Sequence, residues 1–264
     1  MKAEGRQELI ELLRETIYKL TGNYYPDERM KILEYKLERL LRSMNVERED
    51  PQEIVSFFLQ TPERKRLLID LMTVPETRFF REKEQLDVLF DEVLKDRHSL
   101  DMASVGCSTG QEPYTLAMMM AKRGIQGKVV GMDINEEVLK KAREGIYRSS
   151  EINDIPEDYR NFIEIDGQSL KIKPDVKMRV EFRQVNLVEK ASFSSFLGRF
   201  DVVLCRNVLI YFDKDSKRVA LENLSSILKP SGWLVISSTE ILSGDYYDLF
   251  EPEKFGRFFF YRKR

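Results

Sequence analysis

The chain has 264 residues, room for one sizeable core and a smaller second domain, and its 43 basic and 45 acidic side chains give a formal net charge of −2. That balance excludes a whole-molecule field directed at nucleic acid. No apolar run approaches the ~20 residues that span a bilayer, the N-terminus has no signal-peptide core, and the two cysteines lack Cys-x-x-Cys spacing, so the expectation is a soluble cytoplasmic protein with reduced thiols and no metal.

From the N-terminus, helical segments are expected near Arg6–Leu20, Asp27–Met44, Pro51–Leu59 and Pro62–Met72, which together give an all-α domain over residues 1–75. In the second segment Met30, Leu33, Leu37, Leu40, Leu41 and Met44 recur with helical spacing and should face a core. Lys31, Lys36, Arg39 and Arg42 fall on other faces. They serve either as a solvated surface paired with Glu34 and Glu38 or as a docking face for an acidic partner, and the solvated surface is the simpler reading.

Pro75 should end the last of these helices, and Phe79 and Phe80 seed another whose apolar line runs through Leu86, Leu89, Phe90 and Val93. Thr77 and Arg81 lie either on the surface or toward a cleft between domains.

Ser104 to Tyr114 is the most informative stretch. A short apolar strand around Leu100–Val105 meets Gly106 and Gly110, and a helix begins near Glu112 with Pro113 in its first turn. Strand, glycine turn and helix open a nucleotide-binding α/β fold, with unpaired N–H groups and a positive helix end facing the ligand. The turn matches neither the dinucleotide fingerprint nor the phosphate-gripping loop, and Glu112 would repel a phosphate. An acidic residue there suits hydroxyls or positive charge, and S-adenosylmethionine has both.

A second strand, Lys128–Ile134, ends in Asp133 and leads into a helix over Glu136–Arg143. Asp133 follows Glu112 by 21 positions, near the spacing at which a carboxylate holds ribose hydroxyls; a helix N-cap is the plain alternative. Strand-like pieces over Phe162–Phe182, with Asp166-Gly167 as a hairpin turn, indicate a small antiparallel insertion at about residues 160–183. Val185-Asn186-Leu187 resumes the main sheet. Phe200–Cys205 is a buried strand followed by Arg206, Asn207 and Tyr211, and after a helix over Lys214–Leu228 come a strand at Gly232–Ser238 and a final edge strand at Phe258–Arg262.

Five collinear pieces, Thr77–Arg81, Cys107–Tyr114, Asp133-Ile134, Val185–Leu187 and Cys205–Phe212, closely resemble the chemotaxis receptor methyltransferases, the CheR family, over about residues 10–262. The resemblance implies an all-α N-terminal domain followed, over residues 76–264, by a class I, Rossmann-like methyltransferase domain carrying the small β-subdomain. It implies S-adenosylmethionine as cofactor, S-adenosylhomocysteine as product, and O-methylation of glutamates on the cytoplasmic helices of methyl-accepting chemoreceptors, by a monomer that binds no nucleic acid and does not insert into the membrane. The alternative is a methyltransferase with another acceptor, or a signalling module that only binds the cofactor. Carried over residue by residue, Thr77, Arg81, Gly106, Glu112, Asp133, Asn186, Leu187, Arg206 and Asn207 would bind the cofactor, with Tyr211 near the transferring methyl. The reaction's need to align a carboxylate adds the expectation that Arg78 or Arg206 steers the glutamate. Pro75 stands where some members carry Asn, and Gln111 replaces an acidic residue, so neither belongs to the expected site. In the family the β-subdomain can grip a receptor tail peptide; the Asp166-Gly167 turn here is shorter than in peptide-binding members, and tail binding is not expected.

The reaction needs no strong base, because glutamate with a pKa of about 4.3 is ionised at neutral pH. The single histidine, His98, precedes the first sheet strand and reads as a surface residue.

Overall fold

The computed structural model describes residues 3–44, 50–72 and 76–264. The expected stop at Pro75 lies outside the described residues. The chain divides into two compact units, Met1–Val74 with Tyr211–Lys217, and Pro75–Ile210 with Arg218–Arg264.

The first unit is built on α1 (Ala3–Thr21), α2 (Met30–Ser43), α3 (Pro51–Leu59) and α4 (Pro62–Met72). Asp50 caps α3 by accepting from the N–H groups of Gln52 and Glu53, and Pro51 occupies the first turn, where no N–H is needed. Leu9, Leu13 and Ile17 of α1 form the core with Leu33 and Leu37 of α2, Ile54 and Phe58 of α3, and Leu68 of α4. Met30, Leu40, Leu41 and Met44 pack against that core half-buried, in keeping with the periodicity. Glu34 and Glu38 pair with Arg6 of α1, Arg42 lies 3.8 Å from Glu38, and Arg39 covers the Tyr35 ring, so much of the basic surface is engaged locally. The segment Tyr211–Lys217 completes the unit. Tyr18 donates its hydroxyl to Asp213 Oδ2 at 2.9 Å, and Tyr24 N–H donates to the Tyr211 carbonyl at 2.8 Å.

In the second unit, α5 (Lys83–Val88) runs into a wide turn at Leu89–Val93, and the α/β alternation follows: β1 (Met102–Val105), α6 (Gln111–Lys122), β2 (Val129–Asp133), α7 (Glu136–Glu144). The chain then forms β3 (Ile146–Arg148), β4 (Ile163–Asp166), β5 (Ser169–Ile172), α8 (Pro174–Lys177) and β6 (Val180–Gln184). It ends with β7 (Phe200–Leu204), α9 (Lys214–Ile227), β8 (Leu228–Val235), β9 (Phe250–Phe255) and β10 (Phe258–Lys263). The large sheet has the order β6-β2-β1-β7-β8-β10-β9, parallel from β6 to β8, with β10 antiparallel to both β8 and β9. β1 is buried along its whole length, Ser104 included, as its predominantly apolar run leads one to expect. The chain winds outward from β1 through β2 to β6 and then restarts at β7 on the other flank. The crevice at the carboxyl ends of β1 and β7 is therefore the switch point where such sheets bind ligands.

Two strand assignments depart from the reading of the sequence. The small sheet, ordered β3-β5-β4, gains Ile146–Arg148 and stops at Ile172, whereas Val180–Gln184, expected inside the 160–183 insertion, is the edge strand β6 of the large sheet. The C-terminal strand is not the sheet edge: β10 is flanked by β9, whose Pro252 and alternating charges suit an edge.

Candidate functional site

The glycine turn between β1 and α6 is held open by sterics. Gly106 has φ +77°, and a Cβ there would lie 2.3 Å from Val208 Cγ2, so no other residue fits without displacement. Gly110, with φ +92°, precedes α6, and its Cβ would meet the Ala142 methyl at 2.8 Å. The N–H groups of Gly106 and Cys107 donate to the Met132 carbonyl at 2.7 and 3.0 Å, tying the turn to β2. Ser108, itself at φ +50°, donates its N–H to Asp133 Oδ2 at 2.8 Å.

Asp133 is 9% exposed, and its other oxygen accepts the Asn135 N–H at 2.9 Å. Burial pushes its pKa up, against the pull of these backbone N–H groups. The cap of α7 is Asn135, which accepts from Glu137 and Val138, so the plain alternative role for Asp133 is taken by its neighbour. Three backbone N–H groups, those of Ser108, Ile134 and Asn135, thus face the carboxylate, whose four lone pairs leave room for one further donor.

Arg206, just past β7, has only 1% of its side chain exposed. Its Nη2 donates to the Arg81 carbonyl at 2.6 Å and lies 3.5 Å from Glu82 Oε2, and its Nη1 lies 3.2 Å from Glu112 Oε2. Neither Nε nor Nη1 has a hydrogen-bond acceptor, the Glu112 contact being an ion pair without the alignment of a hydrogen bond. A buried guanidinium with two unsatisfied N–H edges is expensive to maintain unless something docks there. Glu112 is fixed from the opposite side by Ser104 Oγ at 2.8 Å. Glu82 is pushed up by burial but held below the usual carboxylate range by the Ser238 N–H, the Arg206 charge and the Ser237 hydroxyl.

A hollow of about 390 Å³ opens among these groups, and its walls include Thr77, Arg78, Arg81, Gly106, Glu112, Arg206 and Asn207, seven of the residues expected from the sequence. Glu76, Leu86, Cys107 and Thr115 complete it. Thr115 accepts the Phe80 N–H at 3.0 Å and so fastens the Thr77–Arg81 segment to α6. Cys107 is fully buried, and burial pushes its thiol far up, so it is a wall rather than a nucleophile. Asp133, Asn186, Leu187 and Tyr211 are not among the lining residues. Asn186 Oδ1 accepts the Val188 N–H at 3.2 Å, and the Leu187 carbonyl accepts from Asn223 at 2.8 Å. Tyr211 ends the turn Leu209–Tyr211 and belongs to the first unit. His98 is exposed.

Phe80, Glu82, Ser108 and Asn207 all hold positive φ between 50° and 60°. Left-handed backbone costs a non-glycine residue about 1–2 kcal/mol, and its concentration around one hollow marks a site whose geometry is enforced by its surroundings. Glu82, Ser237 and Glu240 escaped the reading of the sequence, because their part in the site depends on partners brought together by folding: Glu82 accepts from Ser237 Oγ and Ser238 N–H, and Glu240 accepts from Asn207 N–H.

The donor set suits a zwitterion with ribose hydroxyls: carboxylates for an ammonium or sulfonium, unsatisfied guanidinium N–H groups for a carboxylate, and Asp133 behind the turn for hydroxyls. The fold and this hollow define an S-adenosylmethionine-dependent methyltransferase of the Rossmann-like class. The chain matches the family described as CheR methyltransferase, SAM binding domain, over residues 75–258. It is 31% identical over 249 residues to chemotaxis protein methyltransferase 2 of Vibrio cholerae, covering 87% of this chain and 84% of that one. It is 32% identical over 240 residues to chemotaxis protein methyltransferase of Salmonella typhimurium (87% and 82%), and 31% identical over 262 residues to chemotaxis protein methyltransferase 1 of Pseudomonas aeruginosa (90% and 93%). The protein belongs to the CheR methyltransferase family.

Proposed function

We propose that this enzyme methylates glutamate side chains on the cytoplasmic helices of methyl-accepting chemoreceptors, acting in the cytoplasm as a monomer. The observation that carries this reading is the hollow itself: among the described residues its walls offer three arginines, Arg78, Arg81 and Arg206, and two glutamates, but no histidine or lysine to act as a base. That composition fits an acceptor that arrives already ionised, as a carboxylate does at neutral pH. Among the described residues no helix is long and apolar enough to cross a membrane.

When bound, S-adenosylmethionine supplies an electrophilic methyl on a sulfonium that leaves readily. Glu112, Arg206, Asn207, Thr77 and Arg81 would hold it, with Asp133, Asn186 and Leu187 completing the cradle. The protein's own work is alignment and exclusion of water. Arg78, exposed at the hollow's edge, steers the incoming carboxylate. The role proposed for Tyr211, orienting the reacting end, rests on the likeness of Cys205–Phe212 to the family alone.

The test is incubation with methyl-labelled S-adenosylmethionine and cytoplasmic fragments of chemoreceptors. Base-labile label on receptor glutamates is the expected result. Label on RNA or on a small molecule, or none despite cofactor binding, would redirect the assignment.

A further inference from the structure

Glu82 immediately precedes α5, in the left-handed conformation (φ 52°, ψ 45°), and its side chain is 20% exposed. Its Oε1 accepts from Ser237 Oγ at 2.9 Å, and its Oε2 accepts from Ser238 N–H at 2.7 Å and lies 3.5 Å from Arg206 Nη2. Ser237 Oγ also lies 3.2 Å from Asn207 Nδ2. Both polar side chains that follow β7 therefore lead back to one carboxylate, Arg206 directly and Asn207 through Ser237. Glu82 does not line the hollow.

The direction of the protons in this chain follows from elementary chemistry. An ionised carboxylate only accepts, so the hydroxyl proton of Ser237 goes to Glu82 at 2.9 Å, and Thr239 Oγ1, 3.1 Å from Ser237 Oγ, donates to Ser237 in turn. Ser237 is then left only as an acceptor toward Asn207, which must present its NH₂ to Ser237 and keep Oδ1 for the other side. The charge on Glu82 thus fixes which way the Asn207 amide points.

We propose that Glu82 is a positioning residue, which holds the Arg206 guanidinium in place and, through Ser237, sets the orientation of the Asn207 amide that receives the cofactor. The inference rests on the reading of Asn207 as a cofactor-holding side chain. Glu82→Gln keeps the shape but removes the constraint: a glutamine NH₂ can donate to Ser237, whose proton then becomes free to turn toward Asn207 Oδ1, and the amide can flip.

The test is calorimetric binding of S-adenosylhomocysteine to the full chain and to E82Q, N207A and the double variant, with the ligand-free thermal midpoint of each. The expected result is a loss of affinity of about ten-fold in each single variant, and a double variant within about two-fold of the weaker single, with the E82Q midpoint lowered but still well above the temperature of the binding measurement. Parental affinity in E82Q, or effects that multiply in the double variant, would overturn the proposal. Parental affinity in N207A would instead overturn the assignment on which it rests. If E82Q does not fold, S237A carries the test, since it leaves the Glu82–Arg206 contact intact and must show the same non-additivity with N207A.

Discussion

The hydroxyl of Tyr147 donates to the carbonyl oxygen of Thr109 at 2.7 Å, so a strand of the small sheet grips the glycine turn of the large one. Tyr147 is buried and packs edge-on against Phe79 and Tyr114, and burial pushes its hydroxyl far up, which keeps it a neutral donor throughout the working pH range.

Tyr147→Phe should therefore loosen the turn while leaving the aromatic cluster filled. The Thr109 carbonyl is half-buried, so losing its donor should cost about 1 kcal/mol, the low end of the range for a buried group. The expected outcome is a lower thermal midpoint together with weaker S-adenosylhomocysteine binding, read by calorimetry. Loss of stability with unchanged affinity would mean that the small sheet supports the fold but not the turn.

Gly106→Ala should destabilise by about 2–4 kcal/mol, from left-handed strain and the collision with Val208 together. Adding Val208→Ala removes the collision and should restore part of the loss, leaving about 1–2 kcal/mol of backbone strain. Denaturant unfolding of the two variants separates the contributions, and no recovery in the double variant would put the whole effect on φ.

Asp133 and Glu82 should leave opposite signatures in the acid stability profile. The folded pKa of Asp133 is raised, so its ionisation destabilises the fold as pH rises from the ordinary carboxylate value of about 3.9 through the folded one. The folded pKa of Glu82 is lowered, so its stabilisation is present above about 4.3 and is lost as pH falls through the folded value. Relative to the parent, Asp133→Asn should thus compare more favourably as pH increases, and Glu82→Gln less favourably. Thermal midpoints measured from pH 3.5 to pH 7 check the signs, and parallel curves would contradict both. Asp133→Asn should also weaken cofactor binding at every pH, by about ten-fold or more if it holds ribose hydroxyls.

Tyr211→Phe should lower turnover about ten-fold with S-adenosylhomocysteine affinity held within two-fold, because the proposed role belongs to the reacting end and not to binding. An unchanged rate at saturating cofactor removes Tyr211 from the reaction.

The opening of the α/β unit was legible because one short run carries every signal: a fully buried strand, glycines that sterics demand, and a helix start. Gly106, Glu112 and Arg206 could be named from that run and its collinear partners. Glu82 could not, since neither its left-handed backbone nor its contact with Ser237, 155 positions away, leaves a local trace. β9 was missed because Pro252, Glu251, Glu253 and Lys254 look like a loop, yet an edge strand tolerates all four. Val180–Gln184 fully buries only Phe182, and nothing local says which sheet receives it.

The helical unit is discontinuous in sequence: residues 211–217 belong to it although they fall between β7 and the body of α9. A chimera that exchanges N-terminal helices between family members at residue 74 would part Tyr18 from the Asp213 of its own chain, to which it donates at 2.9 Å. Swaps that carry both segments keep that pairing, and differences in receptor preference between the two kinds of hybrid would then report on the helices rather than on a broken seam.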